Sequence, residues 1–422
     1  MNSEFSLKFE IDKTTARILL VVAGLVALLL ITSVSAGAQE VADTIRVNTR
    51  VVFMDALVKD KRTGVPIADL KPENFEILDD GTARPISYFT REGQARKPLA
   101  LVLILDLRDS GAGRYLKRPE VSKIVADELA RLSPQDEVAI LAMDMDGEHA
   151  KRVWLSGFTR DPAQLTAALM RAGQFVNEKV APRDSSGPGP GTPASEEPVE
   201  VETTKGKKGT VVTRTTRKDG SVDVKRVNKK GEVTMEIGGI YDLAAAVKDT
   251  TRKAKQERPN SQLALVWVSD GIAPILFEDR DATEQQLIRS NVIFNSMTAE
   301  MRTLFKFLMP LGKPIAGMMG ISIYGAAKRL AQQTGGEAVK VSRPKDFAAG
   351  LSKIIGNLTA RYSLGFALAE DEKDDGRLHN LEVKVKAQDA KGKTRKLEVS
   401  VRKGYYMSEA AEKDASAAAR AQ

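Results

Sequence analysis

The sequence predicts an α/β fold built on a mostly parallel central sheet and flanked by small all-β units. Three observations carry this expectation. Leu99 to Leu105 is a run of seven apolar residues without polar alternation, the pattern of a strand buried on both faces of a parallel sheet, and it ends in Asp106. Leu263 to Val268 repeats the plan and ends in Ser269-Asp270-Gly271. Helical periodicities alternate with short apolar strands around these runs, whereas residues 44–92 and 360–407 alternate with a period of two.

The chain opens with Ile18 to Ile31, fourteen residues without a charge, preceded by Lys8, Lys13 and Arg17 and followed by Ser35-Ala36-Gly37-Ala38. Residues 1–38 therefore read as an export signal cut after Ala38. The alternative reading is an uncleaved membrane anchor, although fourteen residues fall short of the ~20 that a span requires. Residues 44–92 form the first β unit, in which Asp79-Asp80-Gly81 makes a tight turn; its paired aspartates read as turn formers rather than as calcium ligands.

Residues 97–358 hold the α/β domain. After the first apolar strand come helix Pro119 to Leu132, strand Glu137 to Met143, a short returning strand Arg152 to Leu155 and helix Pro162 to Ala172. Helix Tyr241 to Lys255 precedes the second apolar strand, and helix Thr283 to Arg289 and strand Val292 to Asn295 follow it. Met301 to Gly320 is an apolar, Met-rich stretch whose prolines and glycines read as a loop. Helix Tyr324 to Thr334, strand Glu337 to Val341 and helix Lys345 to Leu358 complete the domain.

Residues 177–237 interrupt it. Pro182 to Pro198 is rich in Pro, Gly and Ser and reads as a flexible linker, and Thr210 to Ile237 reads as a basic ribbon of three short strands, either a solvated excursion or, being too small to be stable alone, ordered against a partner or its own domain. Residues 360–407 supply the second β unit, expected to pack with the first, and 408–422 is a tail.

Composition narrows the chemistry. The chain has no cysteine, which excludes disulfides, thiolate metal sites and thiol catalysis. Its two histidines, His149 and His379, have no evident catalytic or metal-binding neighbours in sequence. The formal charge is +8, and residues 205–230 alone carry ten Lys or Arg against two acids, so the remainder is neutral. The basic balance belongs to one segment and gives no ground for nucleic-acid binding.

Asp106 to Ser110, an Asp-x-x-x-Ser step after a buried strand, followed by a helix and by a second strand ending in Ser269-Asp270-Gly271, resembles the von Willebrand factor A domain and its metal-ion-dependent adhesion site. Val58 to Phe89 and Arg361 to Tyr406 resemble the flanks of bacterial proteins of the acidobacterial type related to that domain. The likeness implies a Rossmann-like domain in an exported, periplasmic or extracellular binding or scaffold protein. It also implies a divalent-cation site with the pattern Asp-x-Ser-x-Ser on one loop, Thr on a second and Asp on a third. Asp106, Ser110 and Asp270 match as metal ligands, but Arg108 replaces the middle serine and Gly238-Gly239-Ile240-Tyr241-Asp242 offers no threonine.

The site is therefore expected to be degenerate and to need no cofactor, Mg2+ being the ion its matching ligands would take. Arg108, Asp109, Gly239, Tyr241 and Gly271 are the candidate contacts for a partner, expected to be another protein. Two other readings compete. One is a tether in which the basic insertion meets anionic lipid or polymer; the other is a hydrolase using Asp106, Asp109 and Asp270, which lack an accompanying His, Cys or elbow-type Ser.

Intact-mass measurement of the protein recovered from the cell envelope should give a chain beginning at Gln39. A full-length mass would instead mark the first 38 residues as an anchor.

Overall fold

The computed structural model describes residues 50–90, 97–108, 112–144, 151–174, 198–206, 209–217, 222–240, 242–299, 317, 321–369, 371–372, 374–389 and 391–407. The segment expected to be an export signal, the Pro/Gly/Ser stretch up to residue 197, nearly all of 301–320 and residues 408–422 lie outside the described residues. Among those described, no helix is long and apolar enough to cross a membrane.

The chain begins with β1 (Val51–Asp60), β2 (Phe75–Asp79), β3 (Thr82–Arg84) and β4 (Tyr88–Thr90), then β5 (Leu99–Asp106), α1 (Gly113–Leu116), α2 (Pro119–Leu129), β6 (Glu137–Asp144), β7 (Lys151–Thr159) and α3 (Pro162–Gln174). The insertion holds β8 (Pro198–Lys205), β9 (Val211–Arg217), β10 (Val222–Val227) and β11 (Val233–Ile240). Next come α4 (Leu243–Glu257), β12 (Gln262–Ser269), β13 (Ile272–Leu276), α5 (Phe277–Arg289), β14 (Val292–Ala299), β15 (Ile321–Tyr324), α6 (Ala326–Gln333), β16 (Ala338–Val341) and α7 (Asp346–Thr359). β17 (Tyr362–Ala367), β18 (His379–Val385), β19 (Leu397–Ser400) and β20 (Gly404–Tyr405) follow.

The central sheet has six strands in the order β16-β14-β12-β5-β6-β7. All neighbours run parallel except β7, which returns antiparallel to β6. Numbered along the chain this is the doubly wound order 3-2-1-4-5-6, with the direction of winding reversing between β5 and β12. Every residue of β5 is buried, as its unbroken apolar run requires. Leu99, Leu101, Leu103 and Leu105 face α2, α3 and α7, while Ala100, Val102 and Ile104 face α4, α5 and α6.

Two elements depart from expectation. α5 starts at Phe277 rather than Thr283, because its first turns are polar and show no apolar stripe. β13 and β15 form an antiparallel pair that local pattern does not announce, since Pro274 interrupts the first strand and the second comes 45 residues after Leu276.

The two terminal β units form one sandwich. One sheet has the order β19-β1-β17-β4 and the other β20-β18-β2-β3, so each contains two strands from either end of the described chain, alternating in the first and paired through β18 and β2 in the second. Met54, Ile77, Tyr362, Phe366 and Tyr405 fill the space between them. The Tyr362 hydroxyl is clamped, donating to Ile67 O at 2.8 Å and accepting from Leu70 N–H at 3.1 Å.

Buried cations bolt this sandwich to the α/β domain. Lys59 Nζ reaches Glu337 Oε1 at 2.6 Å, Arg361 donates to Gly335 O at 2.6 Å and Asp55 O at 3.1 Å, and Arg402 donates to Phe53 O at 2.6 Å and Ile288 O at 3.3 Å. Burial pulls both guanidinium groups down to about 10, and the nearby Asp55 carboxylate opposes it in each case. Gly335 makes this approach feasible: its φ is +74°, and a Cβ there would sit 2.7 Å from the Val401 carbonyl carbon.

The insertion is not a solvated ribbon. Its four strands make an antiparallel sheet, β11-β10-β9-β8, whose Val212, Val222, Val224 and Met235 are buried in the same core as α4 and the central sheet. Three of its arginines are buried as well, Arg214 (7% exposed), Arg217 (6%) and Arg226 (7%), which leaves less charge for an anionic surface than the sequence suggests. The apolar alternation of the strands supplies one face, and that face is covered.

Val224→Ala should therefore lower global stability by about 2 kcal/mol through lost burial and a residual cavity, measured by denaturant unfolding of the full chain. A free ribbon would leave the unfolding midpoint unchanged.

Candidate functional site

β5 and β12 are parallel neighbours, with Leu105 opposite Val268, so the residues that follow them emerge side by side at the carboxyl ends of the strands. This is also where the winding of the sheet reverses, the crevice in which open α/β sheets bind ligands. Asp106 and Asp270 are placed there by the two apolar runs read from the sequence. Both are buried, at 0% and 2% exposure.

Arg108 stands between them. Its Nε donates to Asp106 Oδ1 and Oδ2 at 2.9 and 3.0 Å, and its Nη2 donates to Asp106 Oδ2 at 2.5 Å, to Asp270 Oδ1 at 3.0 Å and to Ile272 O at 2.7 Å. One nitrogen thus bridges the two carboxylates. The backbone completes the arrangement: Arg108 N–H donates to Asp106 Oδ1 at 3.2 Å and Ile272 N–H to Asp270 Oδ1 at 3.0 Å. Gly271, with φ +84°, turns the chain between Asp270 and Ile272, and a Cβ on it would press on the Thr298 methyl at 2.8 Å.

The electrostatics are those of a buried triad. Burial pushes the Asp106 carboxyl above the usual carboxylate range, Arg108 opposes this, and the Asp270 charge adds to the upward push. A divalent cation placed in the same space would meet the guanidinium. At about 4 Å from the guanidinium and an effective dielectric of ~20 it would be repelled by roughly 8 kcal/mol, twice the unit-charge figure. Among the described residues Asp270 Oδ2 has no hydrogen-bond partner, so one carboxylate oxygen of the crevice is not consumed by the guanidinium.

Of the other candidates, Gly239 lies in β11, next to the loop that leads into α4. Ser110, Asp109 and Tyr241 lie outside the described residues. The second loop ends in Asp242, whose role is structural: its Oδ1 accepts from Ala245 N–H at 2.9 Å and caps α4.

Sequence reasoning missed a second buried guanidinium beside it. Arg214 of β9 donates to Asp242 Oδ2 at 3.2 Å and pairs with Asp279 of α5. Burial pulls the Arg214 guanidinium down, but Asp242 and Asp279 together outweigh this and hold it above the ordinary arginine value. A signal was present, since Arg214 shares the inward register of Val212 on its strand. A cleft of about 650 Å3 opens beside this pair, between β8, α4 and α5, with Lys248, Arg252 and Glu200 on its walls.

No protein-family model matches the sequence, and no curated protein matches it. Solved structures do resemble it. The VWA domain of SpRpn10 aligns at 7% identity over 60% of this chain and 93% of its own length, with a TM-score of 0.30. A von Willebrand factor type A protein from Catenulispora acidiphila aligns at 10% identity over 79% of this chain and 72% of its own, TM-score 0.33. Manganese-loaded TRAP protein from Plasmodium vivax aligns at 9% identity over 78% and 95%, TM-score 0.32. The strand order and its antiparallel third strand bear out the Rossmann-like, von Willebrand factor A type of fold expected from the motifs.

Removing the guanidinium leaves two buried carboxylates facing each other. Arg108→Met should cost about 3–5 kcal/mol at neutral pH. Because the raised Asp106 would rise further, its proton favours the folded state, and the deficit should shrink as the pH falls through the carboxylate range. Urea unfolding across that range checks this; an equal loss at acid and neutral pH would contradict it.

Proposed function

We propose that this chain is an exported, non-enzymatic protein-binding protein whose recognition crevice is held by a buried arginine in place of a divalent cation. The observation that carries the reading is the Arg108 nitrogen bridging Asp106 and Asp270, at 2.5 and 3.0 Å, at the reversal point of the sheet. A cation in an adhesion-type site orders its loops and offers a positive centre to an acidic group on the partner. The guanidinium supplies the first without an exchangeable ion, its fork being taken up by the two buried carboxylates, so the partner is recognised by the loops that it orders.

Asp106 and Asp270, two of the three carboxylates that a hydrolase would use, are hydrogen-bonded to Arg108, which argues against acid–base chemistry. In this reading Arg108, Gly239 and Gly271, together with Asp109, Ser110 and Tyr241, are the residues assigned to the partner contact. The leader, residues 1–38, sends the domain out of the cytoplasm in this reading, and the sandwich of β1–β4 and β17–β20 presents it.

Two measurements on the mature protein test this. Magnesium should not raise the melting temperature of the wild type, since a ligand stabilises only by binding the folded state. Arg108→Ser restores a hydroxyl and removes the repelling charge, so millimolar magnesium or manganese should stabilise that variant by on the order of 1 kcal/mol when several-fold above its dissociation constant. Capture of an envelope protein should then be indifferent to EDTA with wild-type bait. Saturable magnesium binding by the wild type, or capture abolished by EDTA, would return the domain to ordinary metal-dependent adhesion.

A further inference from the structure

The sandwich carries a cluster that the crevice does not use. β2 ends in Asp79, Asp80 and Gly81 turn the chain with φ of 47° and 84°, and β18 opens with His379. β2 and β18 pair antiparallel, with Asp80 N–H donating to Asn380 O at 2.9 Å. Asp79, Asp80 and His379 consequently each bring one ligand-type atom into a group whose members lie within 4.8 Å of one another. The sequence reading took the aspartates as turn residues and gave His379 no partner. The correction is topological, since His379 and Asp80 are 299 residues apart and meet only across the sheet.

His379 is 3% exposed and its ring stacks on Tyr405, with centroids 5.0 Å apart. Its Nδ1 is 3.0 Å from Asp80 Oδ2, and its Nε2 is 3.2 Å from Asp375 Oδ1. Asp79 is 4% exposed, and its two oxygens differ. Oδ2 accepts from Arg84 Nη2 at 2.8 Å and from the Tyr405 hydroxyl at 3.2 Å, whereas Oδ1 is buried with no hydrogen-bond partner among the described residues. A buried carboxylate oxygen without a donor is open to a cation or an ordered water.

Charge points the same way. The carboxylates of Asp79, Asp80, Glu372 and Asp375 face the guanidinium groups of Arg84 and Arg377, with Arg50 beside Glu372, which leaves an excess of one negative charge when the imidazole is neutral. This differs from the crevice, where the guanidinium sits between the two acids. Here Arg84 holds the oxygen of Asp79 opposite the free one, and Arg377, whose side chain is 58% exposed, can release Asp80 Oδ2.

We propose that Asp79 Oδ1, the Asp80 carboxylate and His379 Nδ1 form a site for a first-row transition-metal dication, with zinc preferred over magnesium because one ligand is an imidazole nitrogen. Asp375 accepts the Nε2 proton and orients the ring, the carboxylate–histidine–metal arrangement. The exposed side of Asp80 leaves a coordination position open to water. The bound ion ties the turn after β2 to the start of β18 and so braces the sandwich.

Cobalt(II) titration of the full chain, followed by visible absorption and by displacement with zinc, tests this. One equivalent should bind saturably, zinc should displace it, magnesium should not, and zinc should raise the melting temperature. Asp375→Asn should weaken binding about 10- to 100-fold, and Asp79→Asn and His379→Gln should abolish it. If His379→Gln fails to fold, Asp79→Asn, which keeps the shape of the side chain, decides alone. Absence of saturable cobalt or zinc binding by the wild type, or binding that survives Asp79→Asn, would overturn the proposal.

Discussion

The Arg108 guanidinium, bridging Asp106 and Asp270 at the carboxyl ends of two neighbouring parallel strands, is the interaction on which the geometry of the crevice depends. Two acids buried this deeply repel each other and lose hydration, so they require a positive centre. An arginine supplies it from two residues beyond Asp106, on the same loop, and also fixes the start of the β12–β13 turn through Ile272 O. The loop after β5 is anchored on its other side by Leu107 N–H to Met143 O at 2.8 Å. A single side chain thus joins the loop after β5 to the turn after β12, part of the task that an ion performs in a cation-dependent site.

Around this crevice the fold repeats one device, a buried cation shared between elements distant in sequence. Arg214 ties the inserted sheet to the cap of α4 and to α5, and Arg361, Arg402 and Lys59 tie the sandwich to the central domain. Buried ion pairs often contribute little net stability, but losing one partner is costly because the other charge stays buried. They therefore act as position markers, holding the inserted sheet and the sandwich in one arrangement relative to the crevice. The apolar cores beneath them supply the driving force.

How much of this was legible in the sequence depends on range. β5 and β12 were visible because a strand buried on both faces writes an unbroken apolar run, and the meeting of Arg108 with Asp106 and Asp270 was visible because these charges lie close in the chain or on matching motifs. The long insertion was half legible: its alternation announced strands, but whether the apolar face was covered depends on α4, which follows it in the chain. Pairs such as Arg214 with Asp279, 65 residues apart, or His379 with Asp80 leave no local pattern, since polar residues brought together by topology show no periodicity. Read singly, Asp79 and Asp80 were turn formers, and the turn is there; what the sequence could not display was the histidine and the second carboxylate that β18 and its preceding loop bring against it.

The most direct test of the central claim is a crystal structure of the protein grown in manganese, with anomalous scattering measured at the crevice. A guanidinium between Asp106 and Asp270, with no anomalous peak there, is the result expected from the charge and geometry of Arg108. A manganese peak between the two carboxylates, with Arg108 turned away into solvent, would contradict it.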